Sequence, residues 1–172
     1  MKRILLQSLL MGLLIILQVS VLNRIPYLNA SPNLILIYTF SAGLLRGSVN
    51  GMLTGFFGGL IMDVILGQYI GFSSLIYIVI GFLTGLTYQR LSTDVPLVPI
   101  LISFFSELFY HSYIYIFRFL VRNRLNFGSY FKNIIFPEVV FTIVVSVILF
   151  GLLYYGNNLL EDNEKRSALK FV

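Results

Sequence analysis

Cysteine is absent from the 172 residues, which excludes disulfides and thiolate-ligated metals. Charge is scarce as well. Only 11% of the residues are charged and 58% are hydrophobic, where a soluble domain carries roughly 25% charge. So few charged side chains cannot cover a water-facing exterior, and lipid is the expected solvent. One histidine and seven acidic residues leave too few ligands for a dedicated metal cage, so neither a metal nor a cofactor is expected. The sequence has no Ser/His/Asp set, no Gly-x-Ser-x-Gly elbow and no phosphate-binding glycine loop. No catalytic residue is therefore assigned, and the chain reads as a non-enzyme. A net charge of +5 would suit nucleic acid, but the basic residues are dispersed and mostly flank apolar runs. There they act as topology signals and headgroup contacts, so membrane lipids are the expected partner and nucleic acid is not.

The apolar runs are what the chain does have. A spanning helix needs about 20 apolar residues. Runs at 4–22, 33–45, 49–66, 72–88, 97–119 and 134–155 predict an all-α polytopic membrane helix bundle of about six transmembrane helices, in one domain over 1–172. The first run follows Lys2 and Arg3, is longer than a signal-peptide core and lacks a small-x-small cleavage site, so it is expected to be retained. Turn chemistry separates the runs at Asn23-Arg24-Ile25-Pro26, Arg46-Gly47-Ser48 and Gly67-Gln68-Tyr69-Ile70-Gly71. The second run is short. It predicts either a full span or a re-entrant piece, which is tolerated only when buried in protein. The stretch 120–133 mixes Phe127, Tyr130 and Phe131 with Arg122, Arg124 and Lys132. It fits an interfacial segment and a wet loop equally well. Residues 157–172 read as a charged cytoplasmic tail.

With six spans, Lys2, Arg3, Arg46, Arg90, Lys165, Arg166 and Lys170 share one face. Arg24, Arg122, Arg124 and Lys132 share the other, with Arg118 at the boundary. This bias favours both termini in the cytoplasm.

Two constellations stand out. Gly47, Gly51, Gly55 and Gly59 recur every four residues, and Asp63, Gly67 and Gly71 continue the spacing. Positions four apart share a helix face, and a glycine face lets another backbone approach closely. The face serves either a partner helix or packing inside the bundle, with internal packing favoured. Asp63 has the wrong sign for a helix C-terminus, which points to a specific partner such as a backbone N–H or an arginine. In the fifth run, Ser103, Glu107 and His111 are four apart, and Arg118 follows near the same face. Glu107 is expected deep in the membrane, where a carboxylate must be paired or protonated. One reading is a proton relay or ion site. The favoured one is a polar contact that fixes packing or holds a partner, because no second intramembrane acid is expected on a matching face. Pro137-Glu138 reads as the opening of the sixth helix, where proline is harmless and glutamate complements the dipole.

From Ser31-Pro32-Asn33-Leu34 through Gly51-x-x-x-Gly55-Phe56-x-x-Gly59-Leu60-x-x-Asp63 and Gly67-x-x-x-Gly71 to Gly85, the chain resembles the MreD family of bacterial rod shape-determining membrane proteins. The motif covers about a third of the chain; the fifth run and the tail carry nothing over residue by residue. The resemblance implies a non-catalytic scaffold of the cell-wall elongation machinery in the bacterial cytoplasmic membrane. It implies MreC as partner, with indirect links to MreB filaments and to the elongation glycosyltransferase and transpeptidase. The alternative is the substrate-binding membrane subunit of an energy-coupling-factor vitamin transporter, also a small six-helix bundle, whose fold this chain would then resemble.

Overall fold

A computed structural model describes residues 2–20, 31–66, 69–88, 97–120 and 127–169. Those residues are almost entirely helical and contain no strand. The helices are α1 (Lys2–Ser20), α2 (Leu34–Arg46), α3 (Ser48–Leu66), α4 (Phe72–Gly85), α5 (Leu97–Ile114), the short α6 (Phe127–Tyr130) and the long α7 (Phe136–Leu169). Two π-helical stretches, Tyr115–Leu120 and Phe131–Ile135, extend α5 and lead into α7.

Three helical segments are long and apolar enough to cross a membrane: Ser48–Leu66, Leu97–Phe117 and Phe131–Leu159. Of the other three expected spans, α2 and α4 are shorter apolar helices of 13 and 14 residues, and α1 has 19 described residues. At 1.5 Å per residue, the 13 residues of α2 reach about 20 Å, short of a ~30 Å hydrocarbon core.

Short length in α2 goes with deep burial. Every residue from Leu34 to Leu45 is buried, so α2 is the axis around which the other helices pack. Hydrophobic on all sides, it needs protein on all sides. Leu14 and Ile15 of α1, Met62 of α3, Ile76, Tyr77 and Ile80 of α4, and Phe150 of α7 complete the core around it. The exterior is apolar as well. On α7, Val140, Val144, Ile148 and Leu152 form an exposed ridge with a four-residue repeat. In water such a ridge would be an aggregation hazard, whereas a bilayer covers it.

The N-terminus of α2 meets its hydrogen-bond demand with side chains. Four N–H groups at a helix start lack intrahelical acceptors. Asn33 is the N-cap and its Oδ1 accepts from Leu36 N–H at 3.1 Å. Gln18 of α1 reaches across to accept from Ile35 N–H at 3.1 Å. At the other end, Arg46 Nε donates to Asn157 Oδ1 of α7 at 2.9 Å. The charged stretch beyond Asn157 continues α7 as helix to Leu169.

Pro137 and Glu138 stand in the first turn of α7, as expected, but that end is not free. The helical path already runs through Phe131–Ile135 as a π-helix, and Phe136 N–H bonds to Phe131 O. Proline removes a donor and crowds the carbonyl four residues back; a widened π turn just ahead accommodates both. The stretch expected as an interfacial segment or wet loop is thus helical from Phe127 onward.

Candidate functional site

The glycine ladder divides into three roles. Gly51, Gly55 and Gly59 lie buried on one face of α3, and that face is covered by α4. A Cβ on Gly55 would sit 2.5 Å from the Tyr77 carbonyl oxygen, and one on Gly59 would sit 2.5 Å from Ser74 Cα. A Cβ on Gly51 would collide with the Gly81 carbonyl, and α4 answers with Gly81 against Gly51 and Gly85 against Ser48. The helices therefore touch backbone to backbone. Gly47 serves a turn instead. At φ +89° it forms the break between α2 and α3, a left-handed conformation that side-chain-bearing residues rarely adopt. Gly71, at φ +90°, is the N-cap of α4 and has nothing near its would-be Cβ. Gly67 lies outside the described residues. Two further close contacts involve Gly43, one step ahead of the ladder, and Gly58, which is off its spacing. Gly43 of α2 faces Gly81 and Thr84, and Gly58 faces Ile35.

Asp63 closes the same helix pair. Gly71 has no side chain with which to cap α4, and Asp63 of α3 supplies the missing acceptor. Its carboxylate accepts from Ser73 N–H at 3.0 Å and from Ser74 N–H at 3.3 Å. A negative group at a helix N-terminus is favoured by the dipole and the unpaired N–H groups together. The sign that is wrong for the end of α3 is right for the start of α4. Ser74 Oγ then donates back to the Phe56 carbonyl of α3 at 3.0 Å.

The second constellation is a polar chain through four helices. Ser103, Glu107 and His111 share the buried face of α5. Thr142 of α7 donates to Glu107 Oε1 at 2.7 Å and accepts from Asn33 N–H, at the head of α2, at 3.2 Å. Asn33 Oδ1 in turn accepts from the Tyr77 hydroxyl of α4 at 3.0 Å. One turn along, the Ser146 and Ser103 hydroxyls meet at 3.2 Å. The Tyr77 ring stacks on Tyr110 with centroids 5.5 Å apart.

Glu138 overturns the expectation of no second acid on a matching face. Its Oε2 lies 3.5 Å from His111 Nε2, while Glu107 Oε2 lies 3.7 Å from the same nitrogen. Sequence reading places Glu138 at a helix start but carries no signal for the helix it faces. Pro137 and Glu138 are indeed in the first turn of α7, and from there Glu138 also faces His111 of α5. Asn33, Tyr77 and Thr142 escape the sequence for a simpler reason: each bonds across helices, and single-chain spacing carries no signal for such pairing. Arg118 belongs to the π-helical Tyr115–Leu120, where the wider turn invalidates the α-helical spacing used to align it with His111. Its side chain lies outside the described residues.

Chemically, the arrangement can fix helices in register and hold polar groups in an apolar interior. The Ser103 and Thr142 hydroxyls are engaged in interhelical contacts. No group of three or more His, Asp or Glu side chains among the described residues has metal-ligand geometry.

The comparison with known families agrees with this architecture. The family model described as rod shape-determining protein MreD matches residues 2–155. Neither a curated protein nor a solved structure gives a significant match. Spanning nearly the whole helical bundle, the family match shows that this chain belongs to the MreD family of rod shape-determining proteins.

Proposed function

We propose that this chain is a non-catalytic scaffold of the cell-wall elongation machinery, which maintains rod shape by binding MreC and linking it to peptidoglycan synthesis. The observation that carries this reading is the family match over residues 2–155. The structure supports it through the use made of the polar groups: Asp63 caps α4, and Glu107, Thr142, Asn33 and Tyr77 tie α5, α7, α2 and α4 together. In this reading the chain is a multi-pass protein of the bacterial cytoplasmic membrane with both termini inside, and MreB and the elongation glycosyltransferase and transpeptidase are reached through MreC.

Because α4 already covers the glycine face of α3, a partner meets the exposed apolar faces instead. Photo-cross-linking residues at Leu53, Val64, Phe105 and Ile148, all exposed, test this in rod-shaped cells. An MreC adduct from at least one position is the expected result. No adduct from any position, together with no MreC captured by the full-length chain, contradicts the proposal. Replacing Glu107 and His111 with alanine separates scaffolding from chemistry. Loss of both rod shape and MreC association supports a scaffold, whereas loss of shape with association intact supports a chemical role.

A further inference from the structure

Glu107, His111 and Glu138 are more than packing contacts. Glu107 and His111 are 0% and 2% exposed, yet Glu107 Oε2 and both imidazole nitrogens of His111 lack a hydrogen-bond partner. A buried polar atom without a partner costs about 1–3 kcal/mol, and three together in one place call for a ligand. Two carboxylates approach one nitrogen, at 3.5 and 3.7 Å. A neutral imidazole has a single N–H, so it can donate to only one of them. No lysine or arginine pairs with either carboxylate among the described residues.

We propose that His111, Glu107 and Glu138 form a proton-binding site buried between α5 and α7. The proton enters past Glu138, whose side chain keeps 19% of its surface reachable from outside the bundle while His111 and Glu107 keep 3% and 0%. The step is a simple transfer. An O–H bond of a hydronium ion breaks, an O–H or N–H bond forms within the cluster, and nothing is oxidised or reduced. The added hydrogen supplies a donor to the cluster and avoids two negative charges side by side in a low-dielectric interior. Other titratable groups facing the cluster are Tyr110 beside His111, Tyr130 across it from α6, and Tyr77 on the α4 side; α2 contributes the amide of Asn33 through Thr142. Since Glu107 also holds Thr142, and Thr142 holds Asn33, proton uptake is felt where α2, α5 and α7 meet. The inference stands independently of any binding to MreC.

The chain contains one histidine, so its imidazole can be followed alone. Full-length protein with 15N-labelled histidine, prepared without a histidine tag in lipid nanodiscs, is titrated from about pH 5 to pH 9 and read by NMR. The His111 ring nitrogens should respond to a one-proton event, and Glu138→Gln or Glu107→Gln should displace its midpoint by at least about one pH unit. Unchanged nitrogen shifts across the range, or the same midpoint in wild type and both variants, overturns the proposal. Should the variants misfold, infrared spectra of the wild type decide. A carboxylic-acid C=O band whose intensity follows pH supports the site, and no such band at any pH overturns it. Sodium or potassium titrated at fixed pH must leave the His111 signals in place. If either ion reproduces the pH response, the site binds an alkali cation and the proposal fails.

Discussion

At the residue scale, the fold depends on polar side chains that reach between helices. Thr142 is fully buried and stands between a carboxylate and a backbone N–H. Thr142→Val keeps the shape and removes the hydroxyl, leaving Glu107 Oε1 and Asn33 N–H without that partner. A loss of about 1–3 kcal/mol is expected, read as a lower midpoint for unfolding in detergent. Ser112→Ala is the control, because Ser112 is exposed and bonds only its own helix; its midpoint should not move. Asp63→Ala removes the cap of α4 and should cost about 0.5–2 kcal/mol by the same measurement, with faster hydrogen exchange at Ser73 and Ser74. An unchanged exchange rate there would contradict the capping role. Asp63 is legible in the sequence as an acid in need of a partner, since its position and sign are both visible. Its partner is not, because the contact with the start of α4 forms only when α3 and α4 fold back on each other.

At the scale of elements, α3 and α4 form the closest pair. Three of the glycines in the four-residue ladder, Gly51, Gly55 and Gly59, serve this contact, while Gly47 and Gly71 serve turns. Periodicity alone cannot make that division. Regular spacing shows where side chains are absent, and the backbone angle at each position comes from where the helices stop. Gly81→Ala places a methyl group against the Gly51 carbonyl and should destabilise the pair by about 1–3 kcal/mol through overpacking. Gly12, with nothing near its would-be Cβ, should tolerate alanine without loss. Detergent unfolding midpoints of the two variants compare these outcomes directly. The second element-level departure is the start of α7. Pro137 and Glu138 fall in the first turn of α7, as their residue types suggest, but a π turn leads into that end and Glu138 lies beside His111.

At the scale of the whole molecule, composition and apolar runs reveal an all-helical membrane bundle, and the six runs match the six principal helices α1 to α5 and α7. Two of them, α2 and α4, have 13 and 14 residues, short of the roughly 20 that a full span needs. For α2 the reason is visible: it is surrounded by protein along its length and has no need to match a bilayer. Which run becomes a central axis is a property of the assembly, and a run of apolar residues looks the same whether lipid or protein will cover it. The helices of this bundle hold one another by close backbone contact and leave apolar side chains to the lipid. Unfolding of Gly55→Leu beside Gly151→Leu, in one detergent, tests this most directly. The first meets the Tyr77 backbone at 2.5 Å and the second meets nothing within 4 Å. A clear drop in the unfolding midpoint for Gly55→Leu alone is predicted; equal midpoints for the two variants would contradict it.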